Sequence, residues 1–355
     1  MPRPAISCHD YGHLPDGRTV HQYTLDNGAG LRLSAINYGG IVTALEIPDS
    51  QGRSANVVLG FSALHDYVER NPHFGIIVGR YANRIAGARL ELDGRSYALD
   101  ANDGPHCLHG GAQGFGRQLW EAEIEGQDLL LRLDSADGDQ GFPGRLQVQV
   151  RYRLGDDMSW RIDYEARCER ATVLNLSHHD YFNLAGSGTA LQHQLQIHAS
   201  HYTEADARRI PLAIAPVQGT PFDFRQARTV AERMGEPHPQ LLRSHGYDHN
   251  WLLDGPLDAE GLRPVARLSE PVSGRVMEIR SSEPALQFYS GNFLDGSLLG
   301  SGGQHYQRGD GLCLETQHSP DSPAHPDWPS TVLRPGEVYR SCTVHRFAHL
   351  SGREQ

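Results

Sequence analysis

Apolar and polar residues alternate in short runs along most of this chain, with turn residues between the runs, and that rhythm constrains the fold more than any other feature. A period of two is the signature of a half-buried strand. Arg89 to Asp100 reads RLELDGRSYALD, two alternating runs about Asp93-Gly94, a strong short-range hairpin signal. Leu119 to Leu133 alternates around Glu125-Gly126, and Leu146 to Leu154 (LQVQVRYRL) alternates almost strictly. Gln192 to His198 and Val276 to Tyr289 continue the pattern, while a helical pattern is confined to Arg225 to Met234. Strands do not alternate with helices, which argues against a doubly wound sheet or a TIM barrel. The expected fold is all-β, a large antiparallel β-sandwich. Sandwiches of this length often fold as one unit. With no linker, repeat or low-complexity tract in view, residues 1–355 read as a single domain. Gly302-Gly303 and Ser319 to Pro329 read as surface loops, where sites on β scaffolds are usually built.

Charge and composition narrow the function. A net charge of −11 argues against a nucleic-acid or membrane-surface partner, which would favour a basic face. The five cysteines show no C-x-x-C spacing and read as reduced thiols of a cytoplasmic protein. Residues 1–30 lack a basic start followed by an apolar run, so no signal peptide is expected there, and no stretch approaches the length of a membrane span. There is no lysine: all 32 basic residues are arginine. Schiff-base catalysis, pyridoxal phosphate attachment and the P-loop lysine are therefore excluded.

Five segments set ionisable or amide groups beside apolar or glycine residues that look like strand ends. They are Gly79 to Ile85 (GRYANRI), Leu108 to Gly111 (LHGG), Asn175 to Leu184 (NLSHHDYFNL), Tyr247 to Asn250 (YDHN) and Leu312 to Gln317 (LCLETQ). A polar group that is partly buried needs partners or a chemical role. Taken alone, Glu315 is more readily a structural partner than a catalyst. Arg84 is equally suited to neutralising a buried carboxylate, Asn83 to forming a turn, and His109 to a glycine-rich loop. Tyr81, Phe222, Trp251 and Trp328 fit core packing better than sugar stacking.

Together these segments resemble the galactose mutarotase (aldose 1-epimerase) family. The resemblance runs from Asn37-Tyr38-Gly39-Gly40 to Leu333-Arg334-Pro335-Gly336-Glu337, through Pro216 to Phe224, Gln287 to Gly296 and Leu314 to Ser322. It implies a galactose mutarotase-like supersandwich that interconverts the α and β anomers of a free aldose, with neither metal nor cofactor. His179 matches the family's general acid, which protonates the ring oxygen. Glu315 matches the general base, which takes the proton of the anomeric hydroxyl. Asp248, Asn83, Arg84, His109 and Gln287 match positions that hold the sugar. The partner implied is a small aldose, and the protein is expected to be a monomer or weak homodimer.

The chemistry agrees. A hemiacetal opens when its ring oxygen gains a proton while its anomeric hydroxyl loses one, which calls for an acid and a base, expected on opposite sides of the ring. Histidine, with an ordinary pKa of about 6.5, and a buried carboxylate suit the two tasks. One departure from the family stands out: His178 occupies the position where Asn usually precedes the acid. Adjacent strand residues face opposite ways, so only one of His178 and His179 should face the sugar. His178-x-Asp180 also has the spacing of half an iron-type facial triad. The same residues also suit a glycosidase using Asp248 and Glu315, a hexose-6-phosphate 1-epimerase with Arg117, Arg208 or Arg308 at the far end of the pocket, and a non-catalytic sugar-binding module.

Overall fold

The computed structural model describes residues 4–350. They form three large antiparallel sheets with small two-stranded additions, as the alternation predicts. An N-terminal sheet of five strands runs in chain order: Ala5–His13, Thr19–Asp26, Arg32–Ile36, Val42–Pro48 and Ser54–Asn56. A nine-stranded sheet has Asp128–Ser135, Leu146–Leu154 and Ser159–Cys168 on one side of the long strand Tyr339–His349, with Arg275–Ser281 and Arg263–Ser269 on the other. The third sheet has the order Pro211–Pro216, His201–Ala205, Asp248–Leu252, Ala285–Tyr289 and Cys313–Gln317.

One core ties the sheets together. Leu33 and Leu45 from the first sheet, Leu131, Val148 and Ile162 from the second, and Trp251, Phe288 and Leu314 from the third belong to one packed cluster. Leu146–Leu154 shows the logic: Leu146, Val148, Val150 and Tyr152 are buried, while Gln147, Gln149 and Arg153 face solvent. The hairpin about Asp93-Gly94 forms with both turn residues left-handed, at φ 50° and 73°, the mirror-image turn that such a pair favours. Tyr81, Phe222 and Trp251 are core residues, and Trp328 stacks on His325 with ring centroids 4.0 Å apart.

The helical expectation needs correction. Arg225 to Met234 contains a two-residue strand, Arg228–Thr229, and a single 3-10 turn, Val230–Glu232. The α-helices among the described residues are Leu64–Glu69 and Pro239–Ser244. At six residues each, they are too short to repeat an apolar period. Among the described residues, no helix is long and apolar enough to cross a membrane.

Several histidines are built into the core in neutral form. Nε2 of His193 accepts the Leu184 N–H at 2.8 Å, Nδ1 of His249 accepts the Asp248 N–H at 3.0 Å, and His345 stacks on Trp160. Burial holds them at about 4, about 3 and about 4 respectively. The unfolded chain would protonate each near 6.5, so the folded state loses stability as pH falls through that window, by about 1.4 kcal/mol per pH unit for each site. Urea midpoints should therefore drop steeply between about pH 6.5 and pH 4, with uptake of up to three protons from these sites on unfolding. A flat profile across that range would refute this account.

Candidate active site

The third sheet carries one wall of the site, and its alternation explains how. Asn250, Gln287 and Glu315 are direct cross-strand neighbours on one face. The opposite face, with Trp251, Leu286, Phe288 and Leu314, packs into the core. Asp248 lies one pleat away on the polar face, where its Oδ1 accepts a 2.7 Å hydrogen bond from Gln287 Nε2. Cys313–Gln317 is buried along its whole length because core covers one side and the site covers the other.

The second wall is assembled from short strands. Ser177–His179 pairs with Ile76–Val78 and places His179 opposite the glutamate. His179 Nε2 stands 3.6 Å from Glu315 Oε1, and both side chains are almost fully buried. Arg84–Ile85 pairs with Cys107–Leu108, so Asn83 and His109 meet at its end. His109 donates its backbone N–H to the Asn83 carbonyl at 3.0 Å, and Asn83 returns its N–H to His109 Nδ1 at 3.2 Å. Both residues are left-handed, at φ 62° and 51°. Gly110 follows at φ 83°, where a Cβ would fall 2.1 Å from the Gly79 carbonyl oxygen, so this turn admits only glycine.

These walls enclose a cavity of about 450 Å³. All seven residues singled out in the sequence line it: His179, Glu315, Asn83, Arg84, His109, Asp248 and Gln287. Sequence reasoning missed His73, Tyr181, Arg209 and Phe293, which line it too. Tyr181 had a signal, since it sits two residues beyond His179 and stacks on that ring at 5.2 Å. His73 and Arg209 come from loops and had none. Arg209 Nε is 3.2 Å from Asp248 Oδ2, and its guanidinium lies 4.8 Å over the Phe293 ring.

Charge in the cavity is largely compensated. Arg84 Nε donates to Asp103 at 2.7 Å, so the pairing reading of Arg84 holds alongside its place in the cavity. Arg117 lines a neighbouring hollow instead, and the Arg308 side chain donates to the His245 carbonyl. The arginines of the cavity are Arg70, Arg84 and Arg209, and each is already paired with a carboxylate. That leaves no free arginine cluster of the kind a sugar phosphate would want. Burial pushes His179 well below its ordinary pKa, with His73 adding to the effect. Burial, followed by the Asp248 charge, pushes Glu315 well above its own. Both shifts favour the neutral forms, a neutral imidazole beside a protonated carboxyl. Glu315 Oε2 and Gln287 Oε1 are buried with no protein partner. Such atoms are suited to a polar ligand.

His179 and Glu315 thus approach each other from the two walls of the cavity. The ring oxygen and the anomeric hydroxyl are bonded to the same carbon, so neighbouring groups suffice to serve both.

His178 faces away from the cavity, as strand geometry requires. Its Nδ1 bonds Asp180 Oδ2 at 2.7 Å and its Nε2 bonds the Tyr152 hydroxyl at 2.8 Å. With both nitrogens engaged it offers no lone pair to a metal, which removes the His178/Asp180 reading. Among the described residues, His109, His179 and Glu315 bring ligand-type atoms within 4.8 Å of one another. His109 fits a metal poorly. Its Nδ1 accepts an N–H, so the neutral ring carries its proton on Nε2 and points a donor, not a lone pair, into the cavity.

Comparison with known proteins agrees with this chemistry. The family model for aldose 1-epimerase matches residues 21–346. Human galactose mutarotase is 41% identical over 342 residues, covering 95% of this chain and 97% of that protein. Aldose 1-epimerase of Escherichia coli K12 is 38% identical over 338 residues, covering 94% and 96%. Among solved structures, the GalM/aldose epimerase homologue from C. elegans superposes with a TM-score of 0.84 at 30% identity, covering 91% of this chain and 97% of that one. The galactose 1-epimerase of Lactobacillus acidophilus superposes with a TM-score of 0.87 at 25% identity, covering 98% and 100%. A likeness this complete extends through both walls of the cavity, and the chain belongs to the aldose 1-epimerase family.

Proposed function

We infer that this chain interconverts the α and β anomers of free hexoses such as galactose and glucose, with His179 as general acid and Glu315 as general base. The observation that carries this reading is the 3.6 Å approach of the two groups inside a cavity lined by hydroxyl-binding side chains. Transfer of the Glu315 proton to His179 arms the pair: the imidazolium then gives it to the ring oxygen while Glu315 takes the proton of the anomeric hydroxyl. The C1–O5 bond breaks and an open-chain aldehyde forms. Rotation about C1–C2 presents the other carbonyl face. Glu315 then returns a proton to the carbonyl oxygen as His179 accepts that of the attacking hydroxyl. The pair ends as it began, so nothing is oxidised, transferred or consumed. Asp248 and Gln287 hold hydroxyls as one hydrogen-bonded unit, and Asn83, Arg84 and His109 hold the side nearer the ring oxygen. His109 does so through its Nε2–H.

The whole chain, residues 1–355, acts as one catalytic domain, a reading supported by the span of the family match. It works as a monomer or weak homodimer in the cytoplasm, where an exposed thiol such as Cys8 and four buried free ones stay reduced.

Polarimetry of fresh α-galactose and α-glucose, with and without the protein, is the direct test, and a rate equal to the spontaneous one would refute the reading. The mechanism moves only protons, so exhaustive EDTA treatment should leave the rate unchanged. Loss of activity restored by zinc or iron would shift the chemistry to a metal on His109, His179 and Glu315.

A further inference from the structure

We propose that His73 is a further substrate-contacting residue, whose imidazole hydrogen-bonds a sugar hydroxyl close to the reacting carbon and so helps to select the aldose. The proposal rests on the epimerase reading above. His73 lies outside every motif, in the loop between the helix Leu64–Glu69 and the strand Ile76–Val78. That loop is firmly tied down. Asn71 Oδ1 accepts the Phe74 N–H at 2.7 Å, and Asn71 Nδ2 donates to the Phe74 carbonyl at 3.2 Å. The Tyr181 hydroxyl donates to the Pro72 carbonyl at 3.0 Å, and Gly75 donates its N–H to the carbonyl of His179 itself at 2.9 Å.

At the centre of this clamp His73 is left-handed, at φ 77°. A residue other than glycine keeps that conformation only where its surroundings impose it, and such positions cluster at functional sites. The clamp sets His73 between the cavity and the neighbouring hollow, its ring 4.8 Å from that of His109 and 5.5 Å from that of His179. Among the described residues nothing hydrogen-bonds to the His73 ring, whereas His109 already spends Nδ1 on Asn83. Burial, followed by the charges of Arg117 and Arg84, lowers its pKa to about 4, so the ring is neutral near pH 7. A neutral imidazole offers one donor and one acceptor, which matches a hydroxyl group that is both. A ring needed only for packing could be replaced by any planar side chain of that size, and this difference makes the two roles separable.

The test compares the wild-type enzyme with His73→Phe, which keeps a ring and removes its hydrogen bonds. Both are assayed on galactose and on its 2-, 3-, 4- and 6-deoxy derivatives. On galactose, His73→Phe should lose roughly 3- to 10-fold in kcat/KM, the worth of one net hydrogen bond. The loss should appear mainly in KM. For the one deoxy sugar that lacks the contacted hydroxyl, wild type and variant should be equal. The same ratio for every sugar, or no loss on galactose, would overturn the proposal. If circular dichroism shows His73→Phe unfolded, His73→Asn takes its place, since Asn tolerates left-handed backbone and is too short to reach the sugar. A wild-type enzyme inactive on galactose and glucose would overturn the epimerase reading and this proposal with it. An active enzyme with no selectivity at His73 would overturn this proposal alone.

Discussion

Glu315→Gln should lose at least about 10²-fold in kcat while the fold persists, because the amide keeps the shape of the side chain and cannot take up the anomeric proton. His179→Asn should lose at least as much. Combining the two should cost less than the product of the single losses, because acid and base act on one bond as a unit. Their pH dependence follows from the directions already described. The active pair carries one proton. On the acid side it gains a second, and burial places that limb below the ordinary histidine value of 6.5. On the alkaline side it loses the first, and burial with Asp248 places that limb well above the ordinary glutamate value of 4.5. The wild-type profile should therefore be a plateau whose two limbs belong to the pair and not to either residue. In Glu315→Gln only protonated His179 remains useful, so the residual rate should fall as pH rises across the former plateau. Steady-state polarimetry from about pH 4 to pH 9 reads both. A Glu315→Gln enzyme that still mutarotates galactose at near the wild-type rate would remove Glu315 from the mechanism.

What the sequence revealed and what it hid have physical reasons. Leu146–Leu154 was legible because one of its faces meets core and the other meets water. Cys313–Gln317 shows no such contrast, since both of its faces are covered, and only the motif around Glu315 exposed it. The seven site residues were legible because each sits inside a contiguous motif. His73 and Arg209 were not. Their side chains reach the cavity through turns whose shape depends on distant partners: the His73 loop is tied to Tyr181 and to the backbone of His179. Arg209 sits left-handed in a turn closed by Asp206. The 3.6 Å approach of His179 and Glu315 was hidden for a similar reason. It depends on how a two-walled cavity closes, and neither strand encodes that by itself.

The adjacent histidines give the sharpest separation of structural from catalytic effect. His178→Asn should keep activity within about an order of magnitude, because its ring is spent on Tyr152, Asp180 and an edge contact with Trp160 in the core. It should nonetheless lower stability. The Tyr152 hydroxyl keeps its 2.7 Å bond to the Gly40 carbonyl, but Asp180, almost wholly buried, loses the imidazole that pairs with Oδ2. Leaving such a group unsatisfied costs about 1–3 kcal/mol, more for a charge, although an asparagine amide can recover part of that contact. His179→Asn should do the reverse. It removes the group proposed to protonate the ring oxygen and leaves no stranded hydrogen-bond partner, since His179 Nδ1 has none and Nε2 lies 3.6 Å from the glutamate. Activity should therefore collapse while thermal stability changes little, or even rises once a buried imidazole is gone. Polarimetry and thermal melts on both variants read the two effects independently. An inactive His178→Asn beside an active His179→Asn would transfer the acid role to the residue on the opposite face.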